Sequence, residues 1–572
     1  MKEGRSASQI LLGFLPDQTV DLRGRVWRVK EWADPIPTSV EPSALRQELM
    51  QQVAPWARTN RDGGYLDHLR SGYRVHFYSL NREAGVRVEE FPKRWVCKSC
   101  DRLSQGEHPD RCACGSARFG QLPFVGFHGE CGSLHEPYVR PCAQHKDIKI
   151  TLPGTARAQE IRFSCPVCGK TLQKGFGFRK CTCGKGELTF NVHRAARVYI
   201  PRNFALINPP SGDKVQRIRD AGGAKRALSW VLGGLKEDSL DQFGVTSSSL
   251  IESLRRQGLA EDIIARMVEQ AVAGGALDEG ETLPALDGDN LVEAERGAVN
   301  IALALVESRL RIADMADAYG VVSEHGRKYH VDYPKALLDV GLEAVELVDR
   351  FPVATGCFGY SRDKFEPGAS RLVHFKNRKG DYVVYGDVAK TEALLVRLDP
   401  RLVATWLLRS GCEIDPWSDQ KSARVSILRA ALIPRPGLLA GAPGAGERLL
   451  TLVHSYAHWL TRRLAVHSGV ERSALSEFVV AQHCSFFVYA SARGDFVLGG
   501  LQAVFETGLD LLLKDLASAD LRCPLDPGCL TAGGACMACL HLGEPSCRYY
   551  NGFLSRRTLS GPAGYLSLIT TD

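Results

Sequence analysis

No window of this sequence approaches 18 uninterrupted apolar residues, which argues against a membrane-spanning helix. The opening MKEGRSASQILLGFLPDQTVD has no long apolar run and no small-residue cleavage site, so no signal peptide is expected. An intact nucleotide-binding loop is also missing. The nearest stretch, GAPGAGER at 441–448, spaces Gly441, Gly444 and Gly446 suitably. It then holds Glu447 and Arg448, where a Lys must reach the phosphates and a Ser or Thr the magnesium. HSYAH sets His454 and His458 one helical turn apart, as in a zinc peptidase, but Ser455 stands where the general-base Glu belongs. These absences point to a soluble, cytoplasmic chain with no motor of its own.

What the sequence does hold is ordinary globular material with an excess of cysteine. At 572 residues, 44% hydrophobic and 24% charged, it is long enough for three or four domains with real cores. Eighteen cysteines in a reducing compartment are expected as metal ligands or buried thiols rather than disulfides. Two stretches repeat one pattern: CKSCDRLSQGEHPDRCACG (97–115) and CPVCGKTLQKGFGFRKCTCG (165–184). Each reads Cys-x2-Cys, a polar basic insert, then Cys-x-Cys-Gly. Tetrahedral zinc needs four soft donors converging from two short turns. The expected sites are therefore Cys97, Cys100, Cys112 and Cys114, and Cys165, Cys168, Cys181 and Cys183. With every position filled by sulfur, both read as structural zinc ribbons; four thiolates would also suit an iron–sulfur cluster.

Between the repeats, Cys131, His135, Cys142 and His145 could form another site, although a loop carrying histidines is the preferred reading. Near the C-terminus, CPLDPGCLTAGGACMACLHLGEPSC offers five cysteines for four places. Cys536 and Cys539 are its firm pair and Cys547 follows; Cys529 is favoured over Cys523 for the fourth position because it lies closer to the turn TAGGAC. Cys357, Cys412 and Cys484 sit in apolar stretches and are expected in cores. The formal charge of +7 counts thiols as neutral. About three four-thiolate zinc ions, each a net −2 unit, would leave the folded chain near +1. A nucleic-acid surface would then be a local patch.

The expected fold class is mixed α/β and multidomain, with two zinc-ribbon modules in the N-terminal half and an α/β C-terminal domain carrying a further cysteine zinc site. The segments are an N-terminal α/β region (1–92), the paired ribbons (93–210), a helical region with an acidic linker (211–290), a mixed α/β region (291–440) and the C-terminal domain (441–572). NLVEAERGAVNIALALVESRLRIADMADAYG reads as one long helix. In RGRVWRVKEW, Arg23, Arg25, Arg28 and Lys30 alternate with Trp27 and Trp32, as a strand that contacts phosphate and stacks on bases would, or as a basic edge strand guarded against aggregation. Arg194, Arg197 and Arg202 form a second basic run. On a helix His454 and His458 point away from the stripe Leu449, Leu452, Val453, Tyr456 and Leu460, towards solvent or a neighbouring domain.

The C-terminal third, through LVHSYAHWLTRRLAVHSGV, FFVYASARGDFVLGGL and GGACMACLHLGEPSC, resembles the C-terminal domain of MrfA-type helicases, which carries a four-cysteine zinc site. RSASQILLGFLPDQTVDL, the paired ribbons and HRAARVYIPRNFALINPP resemble, in that order, the DrmB subunits of DISARM anti-phage systems. The sequence departs from related chains in reading Cys131-Gly-Ser-Leu-His135 where Cys-x-x-Gly-His is expected. The resemblance implies a non-catalytic, zinc-binding subunit that partners a DrmA-like helicase, which supplies the ATPase, and helps engage DNA. The competing expectations are a metal-dependent nuclease or phosphodiesterase built on His454, His458 and Glu477, and a scaffold that touches only proteins.

Overall fold

The computed structural model describes residues 13–569, apart from 155–157, 209–211, 221, 236–250, 252–253, 256–257, 274–285, 287, 307, 435–443, 492–497, 519–520 and 544–545. Gly441, the ARGD of FFVYASARGDFVLGGL and most of the acidic linker lie outside the described residues. The chain is mixed α/β and forms two compact units, Met1–Phe204 with Thr355–Asp387, and Ala205–Ala354 with Val388–Asp572. The division falls inside two of the sequence segments, 93–210 and 291–440. Both units are discontinuous because strands Leu342–Ser361 and Tyr382–Leu398 each contribute to both.

In the first unit, strands Thr19–Leu22, Arg25–Trp32 and Val86–Glu90 form an antiparallel sheet with Arg25–Trp32 in the centre, not at an edge. Its inward residues Val29 and Trp32 pack with Leu15, Cys357 and Val383. Helix Pro42–Arg58 starts with proline at its first position, and the Glu41 carboxylate accepts from the Ala44 amide at 2.7 Å. Three further antiparallel sheets of three short strands each follow between residues 94 and 192. Two of them share one small core: Leu103 and Leu122 from one, Ile150, Ile161 and Phe163 from the other.

The second unit is built on strand Ser485–Ala490, which lies between Leu475–Val480 and residues 393–397 of Tyr382–Leu398. Every residue of Ser485–Ala490 is buried, as a strand covered on both faces requires. The two-residue alternation separates the cores. Leu394, Val396, Phe486 and Val488 pack with Leu449, Val453 and Tyr456 of helix Ala445–Ser468. Ala393, Leu395, Phe487 and Tyr489 pack with Trp230 and Ile301 of helices Gly223–Leu232 and Gly288–Leu305. Helix Ala445–Ser468 ends with Gly469 in the left-handed conformation at φ +66°, which glycine adopts without strain.

The single long helix expected over 290–320 is two helices, Gly288–Leu305 and Ile312–Tyr319. A buried ion network breaks it. Arg309 turns inward to Glu346 (Nε–Oε2 2.6 Å), and Leu310–Arg311 pairs with strand Leu342–Ser361 instead of continuing the helix. Arg397 holds the other Glu346 oxygen at 2.8 Å. Burial pushes the Glu346 carboxyl up, but Arg397 and Arg309 more than offset this and hold it below its ordinary range. Glu346→Ala leaves the buried Arg309 guanidinium without its carboxylate, while Arg397 keeps Glu343 at 3.4 Å, so a loss of about 3–5 kcal/mol is expected in denaturant unfolding. A loss below about 1 kcal/mol would show that the network does not hold the break in the helix.

Candidate metal centres

Antiparallel register decides which cysteines meet. Strand Arg94–Cys97 pairs with both Leu103–Gln105 and Phe119–Gln121, with Cys97 opposite Phe119. The turn holding Cys97 and Cys100 therefore lies beside the segment holding Cys112 and Cys114. Cys97 and Cys114 sulfurs are 3.6 Å apart, and those of Cys100 and Cys112 are 3.5 Å apart. Bonds of about 2.3 Å to a tetrahedral zinc put sulfurs roughly 3.8 Å apart, whereas a disulfide brings them to about 2.05 Å. The spacing fits metal ligation and excludes a disulfide. Gly115 turns the chain at φ +85°, and the Arg102 guanidinium stands 3.8 Å from Cys100. Desolvation raises the Cys97 thiol, yet the Ser99 and Cys100 amides with the adjacent thiols bring it down to about 6, which favours the thiolate a metal binds. This group is the one expected from the spacing.

The second expected group is divided. Lys149 pairs with Ser164, so Cys142 and His145, just before one strand, sit at the same end as Cys165 and Cys168, just after the other. His145 Nδ1 lies 3.6 Å from Cys142 Sγ and 3.5 Å from Cys165 Sγ, and Cys142 and Cys168 are 4.0 Å apart. Likewise Phe127 pairs with Thr189, which sets His128 and Cys131 beside Cys181 and Cys183. His128 Nδ1 is 3.3 Å from Cys131 and 3.3 Å from Cys183, and Cys131 and Cys181 are 3.5 Å apart. Thus Cys165 and Cys168 belong to one group of three cysteines and a histidine, and Cys181 and Cys183 to another, nested around it. The preferred reading of this stretch as a loop carrying histidines is corrected: Cys131, Cys142 and His145 join these two groups, while His135 hydrogen-bonds Ser133 Oγ at 2.8 Å, 3.7 Å from Cys181 Sγ, and His128 is the histidine grouped with Cys131. A missed signal was present: His128-x2-Cys131 and Cys142-x2-His145 are half-sites of the same length as Cys-x2-Cys.

Near the C-terminus the group is Cys523, Cys529, Cys536 and Cys539. Cys523 and Cys536 are 3.5 Å apart, and Cys529 and Cys539 are 3.7 Å apart. Cys523 therefore joins the group and Cys547 leaves it, a correction to the expected set. Buried Arg556, paired with Asp526 at 2.7 Å, stands beside Cys529. Cys547 lies instead 3.3 Å from His454 Nε2, in a group with His458 and Glu477. These two histidines are fully buried rather than turned to solvent, because strand Leu475–Val480 and the segment around 540–555 cover that face of their helix. Cys357 and Cys484 lie in cores, where burial pushes both thiols up to about 12, while Cys412 is half-exposed.

The basic residues expected to meet nucleic acid are largely engaged within the chain. Arg25 pairs with Glu90, Arg28 and Lys30 with Glu89, Arg194 with Asp21, and Arg197 with Asp363. Arg202 has no exposed surface: it donates to Ser361 Oγ at 3.0 Å and to the Phe365 carbonyl, over the Trp56 ring. It cannot reach a phosphate. Arg23 is exposed in the turn ahead of the central strand.

The nested grouping is tested by metal content. His145→Ala should lower the metal bound per chain by one equivalent and lower the thermal midpoint by several degrees, whereas His135→Ala should change neither. If His145→Ala keeps full metal, Cys165 and Cys168 are not held with His145.

Residues 6–200, which contain all three N-terminal groups, match a domain of unknown function, DUF8724. No curated protein matches the chain.

Proposed function

We propose that this chain is a non-catalytic, zinc-stabilised subunit of a DISARM-like anti-phage assembly, cytoplasmic, that binds a DrmA-like helicase and helps it engage DNA. The observation that carries the non-catalytic part is the donor count. Each of the four cysteine-rich groups brings together four protein ligands, which leaves a tetrahedral zinc no position for water or substrate. Zinc suits these sites because it accepts mixed sulfur and nitrogen donors without a redox step. Zinc ribbons of this size stiffen projections whose cores are too small to fold alone, and stiff projections suit a subunit that grips a partner.

The helicase partner rests on the order of segments resembling DrmB and on the C-terminal segments resembling MrfA-type helicases, in a sequence that lacks a nucleotide-binding loop. The engaged arginines favour a particular division of labour: DNA is held mainly by the helicase, with this chain contacting protein. A nuclease at His454 and His458 is disfavoured because both are fully buried. Among the described residues no helix is long and apolar enough to cross a membrane.

The test is co-purification of the tagged chain with the products of its neighbouring genes under a moderate salt wash. A helicase-sized ATPase in equimolar amount is expected, and a chain that elutes alone overturns the reading. DNA affinity of the complex should fall steeply with salt, while the isolated chain binds at least tenfold more weakly. Equal affinity for the two would place the DNA contact on this chain.

A further inference from the structure

We propose that His454, His458, Glu477 and Cys547 form a fifth metal site, a closed zinc centre in the core of the second unit, independent of the role in defence. The four donors come from three separated elements: the histidines from helix Ala445–Ser468, Glu477 from strand Leu475–Val480, and Cys547 from the C-terminal tail. Local structure aims each inward. Histidines four residues apart lie on one helical face. On the strand, Leu475 and Val479 pack towards that helix, so Glu477 between them points the same way. The four ligand atoms lie within 4.8 Å of one another. Glu477 Oε1 is 2.8 Å from His454 Nε2 and 3.3 Å from His458 Nε2, and Cys547 Sγ is 3.3 Å from His454 Nε2.

The groups around the donors are arranged as metal sites arrange them. His458 Nδ1 is 2.9 Å from the Leu540 carbonyl, and His454 Nδ1 is 3.3 Å from the Phe553 carbonyl. A carbonyl only accepts, so each Nδ1 carries a proton, and with an ion bound each Nε2 would turn its lone pair to the centre. The Asn551 amide donates to Cys547 Sγ at 3.3 Å and so fixes the direction of the sulfur. Without an ion the same geometry leaves buried polar atoms unsatisfied. Glu477 Oε2 and His458 Nε2 have no hydrogen-bond partner, the 3.3 Å approach to Oε1 lacking the alignment of one. Two imidazole Nε2 atoms, a carboxylate and a sulfur converging in a dry interior are a donor set that a divalent cation would satisfy.

Charge selects a divalent ion. Two neutral imidazoles, one carboxylate and one thiolate give a neutral unit with zinc, so the complex can be buried completely at little desolvation cost, as all four residues are. The mixed nitrogen, oxygen and sulfur donors are those zinc accepts, and hard ions such as magnesium and calcium prefer oxygen alone. Four protein ligands and no exposed surface leave no room for substrate. The site is a staple that ties the tail to the central helix.

Crystals of the full chain, measured on both sides of the zinc absorption edge, test this directly. An anomalous peak bounded by the two Nε2 atoms, the Glu477 carboxylate and Cys547 Sγ is expected. Peaks at the cysteine groups with none here overturn the site, and a peak without a zinc edge overturns the assignment to zinc. In solution, Cys547→Ala should bind one zinc fewer per chain than the unaltered protein, and Cys547→Asp, which keeps a fourth and anionic donor, should restore it. An unchanged zinc count in Cys547→Ala also overturns the proposal.

Discussion

Short antiparallel pairings of fixed register hold the first unit's chemistry together. Cys97 opposite Phe119, Lys149 opposite Ser164 and Phe127 opposite Thr189 each bring two half-sites to the same end of a small sheet. Slipping any pairing by one residue would turn its side chains to the other face and separate donors that need to stay within roughly 4 Å. The dependence is mutual. The shared apolar core is a handful of residues around Ile150, Ile161 and Phe163. A core that small does not hold a sheet in register unaided, and structural zinc in finger-sized units contributes on the order of 10 kcal/mol.

How much of this was legible depends on how local each site is. The first group was readable in full because its four ligands lie within one hairpin and the loop leading to the next strand, and all are cysteines. The next two groups were not, because their half-sites are nested. Cys181 and Cys183 reach back fifty residues to His128 and Cys131, and nothing in the spacing of a Cys-x2-Cys shows which other half-site it meets. The repeat of the first pattern at 165–184 was a coincidence of spacing that proximity made persuasive. The C-terminal error has the same cause: Cys547 looked like the nearest spare ligand, but its partners lie on a helix and a strand about seventy to ninety residues upstream. The helix break before Arg309 was equally hidden, since it comes from the distant carboxylate of Glu346. The burial of Ser485–Ala490 and the end of helix Ala445–Ser468 at Gly469 were readable, because each follows from local pattern.

Electrostatics ties the sites to the surface. Two four-cysteine groups and two with three cysteines and a histidine remove about six charges when loaded with zinc, the same number as the three four-cysteine sites expected from the sequence. The folded chain is then close to neutral, and several of its arginines already face carboxylates. A protein so balanced has little long-range field with which to draw a polyanion. A contact with DNA would need a local basic patch rather than this chain's net charge.

The same accounting explains where each centre sits. A unit of net charge −1 or −2 needs water or a cation beside it. The groups carrying such charge keep one or more ligands in partial contact with solvent: Cys114 and Cys168 are exposed, and Cys536 and Cys539 are half-buried. Arg102 and Arg556 stand beside the two groups with the largest charge. Among the groups in the described residues, that of His454, His458, Glu477 and Cys547 is the one whose ligands would neutralise a divalent ion, and it is the one with all four ligands buried. Replacing its carboxylate or its thiolate by a neutral side chain would place net positive charge in the interior, and replacing a histidine by cysteine would place net negative charge there. The depth of this group is therefore a constraint on its composition: only a set with two anionic ligands can be buried this far without a compensating ion.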